Sequence, residues 1–189
     1  MNINLKSELD EHLSIFNNSA KILDVISTIS EECISTLKLG KKIITFGNGG
    51  SASDAQHFSA EIVGRYKFEK EPLPSISLNT DTSIITSIAN DYGFVELFSR
   101  QISAYGKEKD ISIGISTSGK SKNVLKGLQK AKELGLTTIG FCGNNTSLMN
   151  EVCDITLSVP SSVTARIQEF HIFAIHLICN EIDKAFRAK

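Results

Sequence analysis

Apolar side chains recur every three or four residues over positions 3–39, which is the spacing of an amphipathic helix. The polar run 17–19 allows a break into two helices, and Gly40 is suited to end the second. From residue 42 the pattern changes to short apolar runs, each followed by a helical pattern. The predicted strands are 42–46, 75–78, 111–115, 136–141 and 154–159. The predicted helices of this part are 53–66, a stretch ending near 89, 94–105, 122–134 and 164–187, with a turn at 90–93 and Gly135 as a helix cap.

Strands that alternate with helices predict right-handed crossovers and a parallel sheet. We therefore expect an α/β fold, a three-layer α/β/α sandwich with a mainly parallel five-stranded sheet. Residues 1–189 are expected to form a single domain, in which 1–39 is a helical segment that packs on the core or on a neighbouring subunit. Ligands of such sheets bind beyond the carboxyl ends of the strands, which here means the loops 47–51, 79–81 and 116–121.

Composition narrows the class of protein further. The chain has 189 residues, 41% hydrophobic and 22% charged, an ordinary globular mix for one domain. A net charge of −1 gives no electrostatic footprint for nucleic acid, and no apolar run approaches the roughly 20 residues that span a bilayer. The polar N-terminus does not resemble a signal peptide, and the four cysteines form no C-x-x-C pair. We expect a cytoplasmic protein with reduced core cysteines that binds neither nucleic acid nor membranes.

The loop after the third predicted strand is rich in hydroxyl groups, which come from Ser116, Thr117, Ser118 and Ser121. Hydroxyls and free backbone N–H groups at a helix N-terminus bind anions well. A helix cap alone would need only one or two of these side chains. The loop is therefore interpreted as a phosphate site.

Residues 114–121, GISTSGKS, also match the nucleotide-binding P-loop pattern G-x-x-x-x-G-K-[ST]. We predict that this match is accidental, because Gly114 falls inside the predicted strand instead of opening the loop. No aspartate suited to hold a metal ion follows the neighbouring strands. On this interpretation Lys120 is a dispensable surface charge near an anion.

The loop after the first predicted strand, GNGGS, lets the backbone turn sharply and approach a ligand. Asn48 and Ser51 add hydrogen bonds suited to sugar hydroxyls. His57 and Glu61 follow on the next helix with the i, i+4 spacing that places them on one face. They could be a solvated pair, a metal-binding pair, or a general base beside the group that orients it.

The last predicted helix carries Gln168 and His176 amid apolar residues. Eight residues separate the two, or about 12 Å along the helix axis. Either both side chains reach into one site, or they serve sites that are shared between subunits.

Taken together, these residues resemble the SIS (sugar isomerase) domain family and, within it, the phosphoheptose isomerases. The resemblance covers nearly the whole chain, and its combination, order and spacing of motifs are specific. The matching stretches are GNGGSASDAQHFSAEIVGRY, TDTSIITSIANDYGF, FSRQ, GISTSGKS and ARIQEFHIFAIH.

The resemblance implies roles for individual residues. The implied sugar site is Asn48, Gly49, Gly50 and Ser51, with further substrate contacts from Glu61, Asn90, Asp91 and Gln168. The implied phosphate ligands are Ser116, Thr117, Ser118 and Ser121. The implied zinc ligands are His57, Glu61, Gln168 and His176, for one zinc per subunit whose occupancy could be partial. Glu61 and His176 match the acid/base pair of the family.

The family is typically a homotetramer with active sites at subunit interfaces. Its members are aldose–ketose isomerases that convert sedoheptulose 7-phosphate to D-glycero-D-manno-heptose 7-phosphate through an enediol, the first step towards nucleotide-activated heptose for lipopolysaccharide or capsule. Two positions depart from the pattern: Lys120 stands where many relatives have a smaller or uncharged residue, and Ala165 where some have an acidic one. The departure at Ala165 puts one substrate contact there in doubt, and whether the two departures alter substrate preference is left open.

Two other functions compete with the isomerase interpretation. Some SIS relatives are non-catalytic binding proteins, including one that associates with the replication initiator, and these can lose the catalytic carboxylate. The presence of Glu61 and His176 favours the enzyme. A sugar-phosphate-sensing regulator is expected to carry an attached DNA-binding domain, for which this chain has no room.

Overall fold

The computed structural model describes residues 5–17 and 20–188. Within these ranges the chain forms eight α-helices and five strands. The strands are β1 (Ile43–Gly47), β2 (Ser75–Ser77), β3 (Ile111–Ile115), β4 (Thr137–Cys142) and β5 (Ile155–Ser158). The helices are α1 (Leu5–Asn17), α2 (Ala20–Lys38), α3 (Gly50–Val63), α4 (Thr82–Tyr92), α5 (Leu97–Tyr105), α6 (Lys122–Glu133), α7 (Ser147–Val152) and α8 (Thr164–Phe186), with one 3₁₀ turn at Phe94–Glu96.

The described strands form one parallel sheet in the order β2-β1-β3-β4-β5. Side chains alternate between its two faces. Ile43 points into a core shared with α2, α3 and α8, whereas Ile44 and Phe46 point into a second core under α5 and α6. The predicted three-layer α/β/α sandwich is therefore confirmed.

Two glycines inside strands explain how closely the helices approach the face of the sheet that carries the second core. A Cβ on Gly114 would lie 2.8 Å from Leu128 Cδ1 of α6, and one on Gly140 would lie 2.7 Å from the Cys153 sulfur after α7. Distances this short are not tolerated between a Cβ and another carbon or sulfur atom in a packed interior. Gly114 therefore belongs to the strand and its packing, as the rejection of the P-loop match predicted.

Several predicted boundaries differ from the structure. Helix α3 begins at Gly50 instead of 53, because Gly49 has a positive φ of 59° that turns the chain directly into the helix. The predicted turn at 90–93 is wrong, because α4 continues to Tyr92 and ends only where Gly93 reaches a φ of 87°. Helix α7 was not predicted, since six residues are too few to display a period. The cap at Gly135, with a φ of 76°, is confirmed.

The N-terminal helices differ in how they meet the core. Helix α2 buries Ile26, Ile29 and Cys33, whereas α1 has no buried residue. Helix α1 contacts α8 through polar groups and through Phe16: His12 Nδ1 lies 2.8 Å from Glu169 Oε2, Arg166 donates to the Glu8 carbonyl at 2.7 Å, and the Phe16 ring packs on two phenylalanine rings of α8. The predicted break at 17–19 lies partly outside the described residues.

The structure bears on two of the expectations drawn from composition. All four cysteines are free and buried, as predicted, and burial raises the pKa of the Cys142 thiol to about 11. Among the helices of the described ranges, none is long and apolar enough to cross a membrane.

Candidate functional site

The loop after β1 is built so that backbone and ligand can come close. The Asn79 side chain holds the end of the strand, accepting from the Gly47 N–H at 3.1 Å and donating to the Gly47 carbonyl at 2.9 Å. A Cβ on Gly47 would lie 2.7 Å from the Ser51 carbonyl oxygen, so only glycine fits there. No side chain caps the N-terminus of α3, which leaves its positive end open to a ligand.

The loop after β3 gathers its hydroxyls around the buried Ser116. Its Oγ donates to Ser121 Oγ at 2.9 Å and lies 3.4 Å from Ser118 Oγ. Ser121 occupies the N-cap position of α6 but makes no capping hydrogen bond, whereas the Ser116 and Ser118 hydroxyls accept from the backbone N–H groups of Ser121 and Lys120, at 3.4 and 3.2 Å. Thr117 and Ser118 border a polar pocket of about 240 Å³ whose far side includes Ser161 and Thr164. The arrangement fits the predicted phosphate site, with Lys120 exposed beside it.

A pair of amides joins the two loops. Asn48 Nδ2 donates to Asn123 Oδ1 at 2.8 Å, and Asn123 Nδ2 donates back to Asn48 Oδ1 at 2.9 Å. Asn123 is buried in the first turn of α6, directly after the phosphate loop. Sequence reasoning missed Asn123, because nothing local indicates a partner 75 residues away.

Helices α3 and α8 lie side by side and bring three predicted residues together. His57 Nε2 lies 3.0 Å from His176 Nε2 and 3.5 Å from Glu61 Oε1. The ring of Tyr66 stacks on the His176 imidazole, with centroids 5.2 Å apart and planes 19° apart. Partial burial, aided by His57, lowers the pKa of His176, although Glu61 opposes that shift. The neutral imidazole that results can both accept and donate a proton.

The structure shows a further acidic residue, Asp54, on the side of α3 that carries His57 and Glu61. It lies three residues before His57 and seven before Glu61, so all three share one side of α3. Its Oδ2 is buried without a hydrogen-bond partner, and burial raises the pKa of the carboxyl to about 6 despite the nearby His57. The sequence signal that indicates Asp54 is its i, i+3, i+7 spacing with His57 and Glu61.

The remaining predicted residues lie elsewhere. The Gln168 amide packs against Gly50, where an added Cβ would lie 2.5 Å from Nε2, and about 12 Å of helix separates it from His176. Asn90 and Asp91 are exposed at the end of α4, where Asn90 Nδ2 donates to Asp91 Oδ1 at 2.7 Å. The structure therefore brings together Glu61, His57 and His176, but not Asn90 and Asp91 with any of them.

The described side chains do not form a closed metal cage. Within residues 5–17 and 20–188, no group of three or more His, Cys, Asp and Glu side chains is placed to hold a metal ion. His57 is the centre of both short contacts, with His176 on one side and Glu61 on the other.

Comparison with known proteins relates this arrangement to characterised families. The model of the SIS domain family matches residues 11–143. A phosphoheptose isomerase of Campylobacter concisus is 51% identical over 183 residues, which cover 97% of each chain. Among solved structures, a phosphoheptose isomerase from Neisseria gonorrhoeae is 38% identical with a TM-score of 0.90, covering 96% of this chain and 97% of that one. One from Francisella tularensis is 34% identical with a TM-score of 0.89, over the same shares.

Proposed function

This chain belongs to the phosphoheptose isomerases of the SIS-domain family, and on that premise we propose that it converts sedoheptulose 7-phosphate to D-glycero-D-manno-heptose 7-phosphate. The observation that carries the proposal is the distance between the loop assigned to phosphate and the side chains assigned to acid/base catalysis. The reacting carbons C1 and C2 lie at the opposite end of the sugar from the C7 phosphate. An enzyme for this substrate needs a phosphate site and an acid/base site that are kept apart. Here the Asn48–Asn123 pair joins the loop before Gly50 to the phosphate loop, and Gly50 and His57 are seven residues, or about 10 Å, apart along α3.

The proposed chemistry moves a proton between C1 and C2 through an enediol. Glu61 takes the proton from C1 of the ketose while His176 gives one to the C2 oxygen. The enediol then loses its O1 proton to His176, and Glu61 returns a proton to C2, which forms the aldose. The contacts of 3.0 and 3.5 Å through His57 support this assignment, because they put both groups within reach of one substrate.

We also propose that this cluster holds zinc. Two ligands about 2.0–2.1 Å from a tetrahedral zinc lie about 3.3 Å from each other. The two distances from His57 lie near that value, but within the described residues the three side chains are not yet placed as a metal site, so His57, Glu61 and His176 would hold the ion only after side-chain rotation. Gln168, about 12 Å along α8 from His176, would contribute to this site from a neighbouring subunit. When bound, zinc polarises the sugar carbonyl.

The proposed assembly is a homotetramer with active sites at subunit interfaces. Leu5 and Leu9 on α1 are 73% and 55% exposed, and Phe94 after α4 is 54% exposed, which is costly for large apolar side chains in water. Asn90 and Asp91 lie next to Phe94 in the chain, so an interface there would bring them towards a neighbour's substrate. We place the reaction in the cytoplasm, as the first step towards nucleotide-activated heptose for surface polysaccharide.

The direct test is turnover by the purified protein. Sedoheptulose 7-phosphate is added with and without a metal chelator, and the formation of the aldose is followed by NMR. We expect isomerisation that the chelator lowers and added zinc restores. Binding of the sugar phosphate without turnover, in both conditions and after zinc is added, would instead indicate a non-catalytic binding protein. Full activity in the chelated protein would remove zinc from the proposal.

A further inference from the structure

The segment after α3, residues 64–70, is held in place by one buried carboxylate of α8. Asp183 Oδ2 accepts hydrogen bonds from the backbone N–H groups of Tyr66, Lys67 and Phe68, at 3.0, 2.6 and 2.9 Å. Three donors on one oxygen fix three consecutive peptide groups, which is the strong, charge-assisted form of the bond. We name residues 64–70 the clamp segment.

A lysine of the clamp segment completes the attachment. The Lys70 ammonium lies 3.4 Å from Asp183 Oδ1, and both side chains are fully buried, at 0% and 1% exposure. Lys70 also donates to the carbonyls of Glu61 and Gly64, at 3.2 and 2.6 Å. Burial alone would raise the pKa of Asp183, but the backbone hydrogen bonds and Lys70 outweigh it and lower that pKa. The buried pair therefore ties the last turn of α3, which carries Glu61, to α8.

The geometry of α8 connects this attachment to the acid/base site. His176 and Asp183 are seven residues apart, so they lie on the same side of the helix, about 10 Å from each other. The clamp segment crosses this side and lays the Tyr66 ring on the His176 imidazole, at 5.2 Å and 19°. Stacking restricts the rotation of the imidazole, and the backbone bond to Asp183 restricts the position of Tyr66.

We propose that Tyr66, held by the buried Asp183–Lys70 pair, is a positioning residue that sets the orientation of His176. This proposal rests on the proposed function for its effect on turnover, because His176 is the group that moves protons there. It adds residues that lie outside the predicted site. A misplacement of about 1 Å at a reacting group costs about 100-fold in rate, so a loose imidazole should be visible in kcat.

The experiment compares leucine and phenylalanine at Tyr66. We expect Tyr66→Leu to lower kcat about 10- to 100-fold with little change in KM, and Tyr66→Phe to keep both near the parent values. Phe68→Leu is the matched control: it lies in the same segment, but its ring stacks with Arg187, at 4.5 Å, instead of with His176. Because Phe68 also bonds to Asp183, a general loosening of the segment would show in both leucine variants.

A spectroscopic measurement separates this inference from the isomerase assignment. The ring nitrogens of His176 should relax as those of a rigid imidazole in the parent and in Tyr66→Phe, and as those of a more mobile imidazole in Tyr66→Leu. Asp183→Asn, if it folds, should raise this mobility as well, and Tyr66→Leu alone decides if it does not. An unchanged His176 mobility in Tyr66→Leu, or an unchanged kcat in an active enzyme, overturns the inference. A raised mobility in a protein without isomerase activity supports the positioning and rejects the proposed function instead.

Discussion

Asn48 and Asn123 exchange two amide hydrogen bonds, of 2.8 and 2.9 Å, across the 75 residues that separate them in sequence. Asn48 belongs to the loop after β1, and Asn123 follows the phosphate loop after β3. Because β1 and β3 are hydrogen-bonded neighbours, the pair fixes the two loops relative to each other at one edge of the sheet. The proposed sugar and phosphate sites are thereby set at one distance before substrate arrives, which lowers the ordering cost of binding.

Replacement of Asn123 by leucine should therefore weaken substrate binding. We expect Asn123→Leu to raise KM about tenfold and to lower the free energy of unfolding by about 1–3 kcal/mol, because the Asn48 amide loses both partners. Steady-state kinetics and urea unfolding give the two values. Gln129→Leu, at an exposed position of the same helix, is the control and should change neither. An Asn123→Leu enzyme with parental KM would show that the loops need no such link.

Loss of the Glu61 carboxylate should remove the base and one proposed zinc ligand, while the loops after β1 and β3 still bind the sugar phosphate. We expect Glu61→Gln to lower kcat by about 10²- to 10⁴-fold, which is the usual contribution of a positioned general base, with KM much less affected. Glu69→Gln is the control, because Glu69 is exposed and pairs with Arg65, at 3.0 Å, away from the site. Near-normal turnover of Glu61→Gln would reject Glu61 as the base.

Stability should fall in mild acid because of His171. This side chain is fully buried in α8, and burial lowers the pKa of its imidazole from 6.5 to about 4, against the opposing effect of the Cys142 carbonyl. Between these two pH values the unfolded chain binds a proton that the folded chain excludes. The free energy of unfolding is thus fully retained above pH 6.5 and declines as the pH falls towards 4, by about 3 kcal/mol in total from this group.

His171→Leu should flatten that decline. Urea unfolding at pH 7, 5.5 and 4.5, at one fixed protein concentration, gives the free energy of unfolding of both proteins. The parent should lose more stability between pH 7 and 4.5 than the variant, by about 2–3 kcal/mol. Parallel pH profiles would mean that His171 accepts its proton inside the fold.

The sequence was sufficient for features that depend on local patterns. Gly135 was placed as a helix cap because a positive φ at that point favours glycine, and the structure has 76° there. The hydroxyls around Ser116 were recognised because four polar side chains follow one buried strand. The Tyr66–Asp183 bond and the Asn48–Asn123 pair were not predicted from the sequence. Each joins residues more than 70 positions apart, and no local sequence pattern at either end indicates the partner. Helix α7 was not predicted for a different reason: its six residues are too few to display a helical period.

Gly119 should tolerate alanine much less well than Gly40, although both glycines have nearly the same backbone. Their φ angles are 65° and 69°, so alanine at either position incurs the same conformational cost, about 1–2 kcal/mol. A Cβ at Gly40 meets nothing within 4 Å, whereas one at Gly119 would lie 2.3 Å from the Asn145 carbonyl oxygen. The backbone of the phosphate loop must then move.

We therefore expect Gly40→Ala to lose about 1–2 kcal/mol with unchanged kinetics. Gly119→Ala should lose more stability than Gly40→Ala and, in addition, raise KM about tenfold or more, because Ser118 and Ser121 flank the displaced peptide. Thermal unfolding and steady-state kinetics on the two variants separate backbone strain from displacement of the loop. Both variants carry the strain of a positive φ, whereas only Gly119→Ala meets the Asn145 carbonyl oxygen and displaces the loop. Equal losses in both variants, with parental KM, would show that the loop relaxes around the added methyl group and that its shape is not what binds the phosphate.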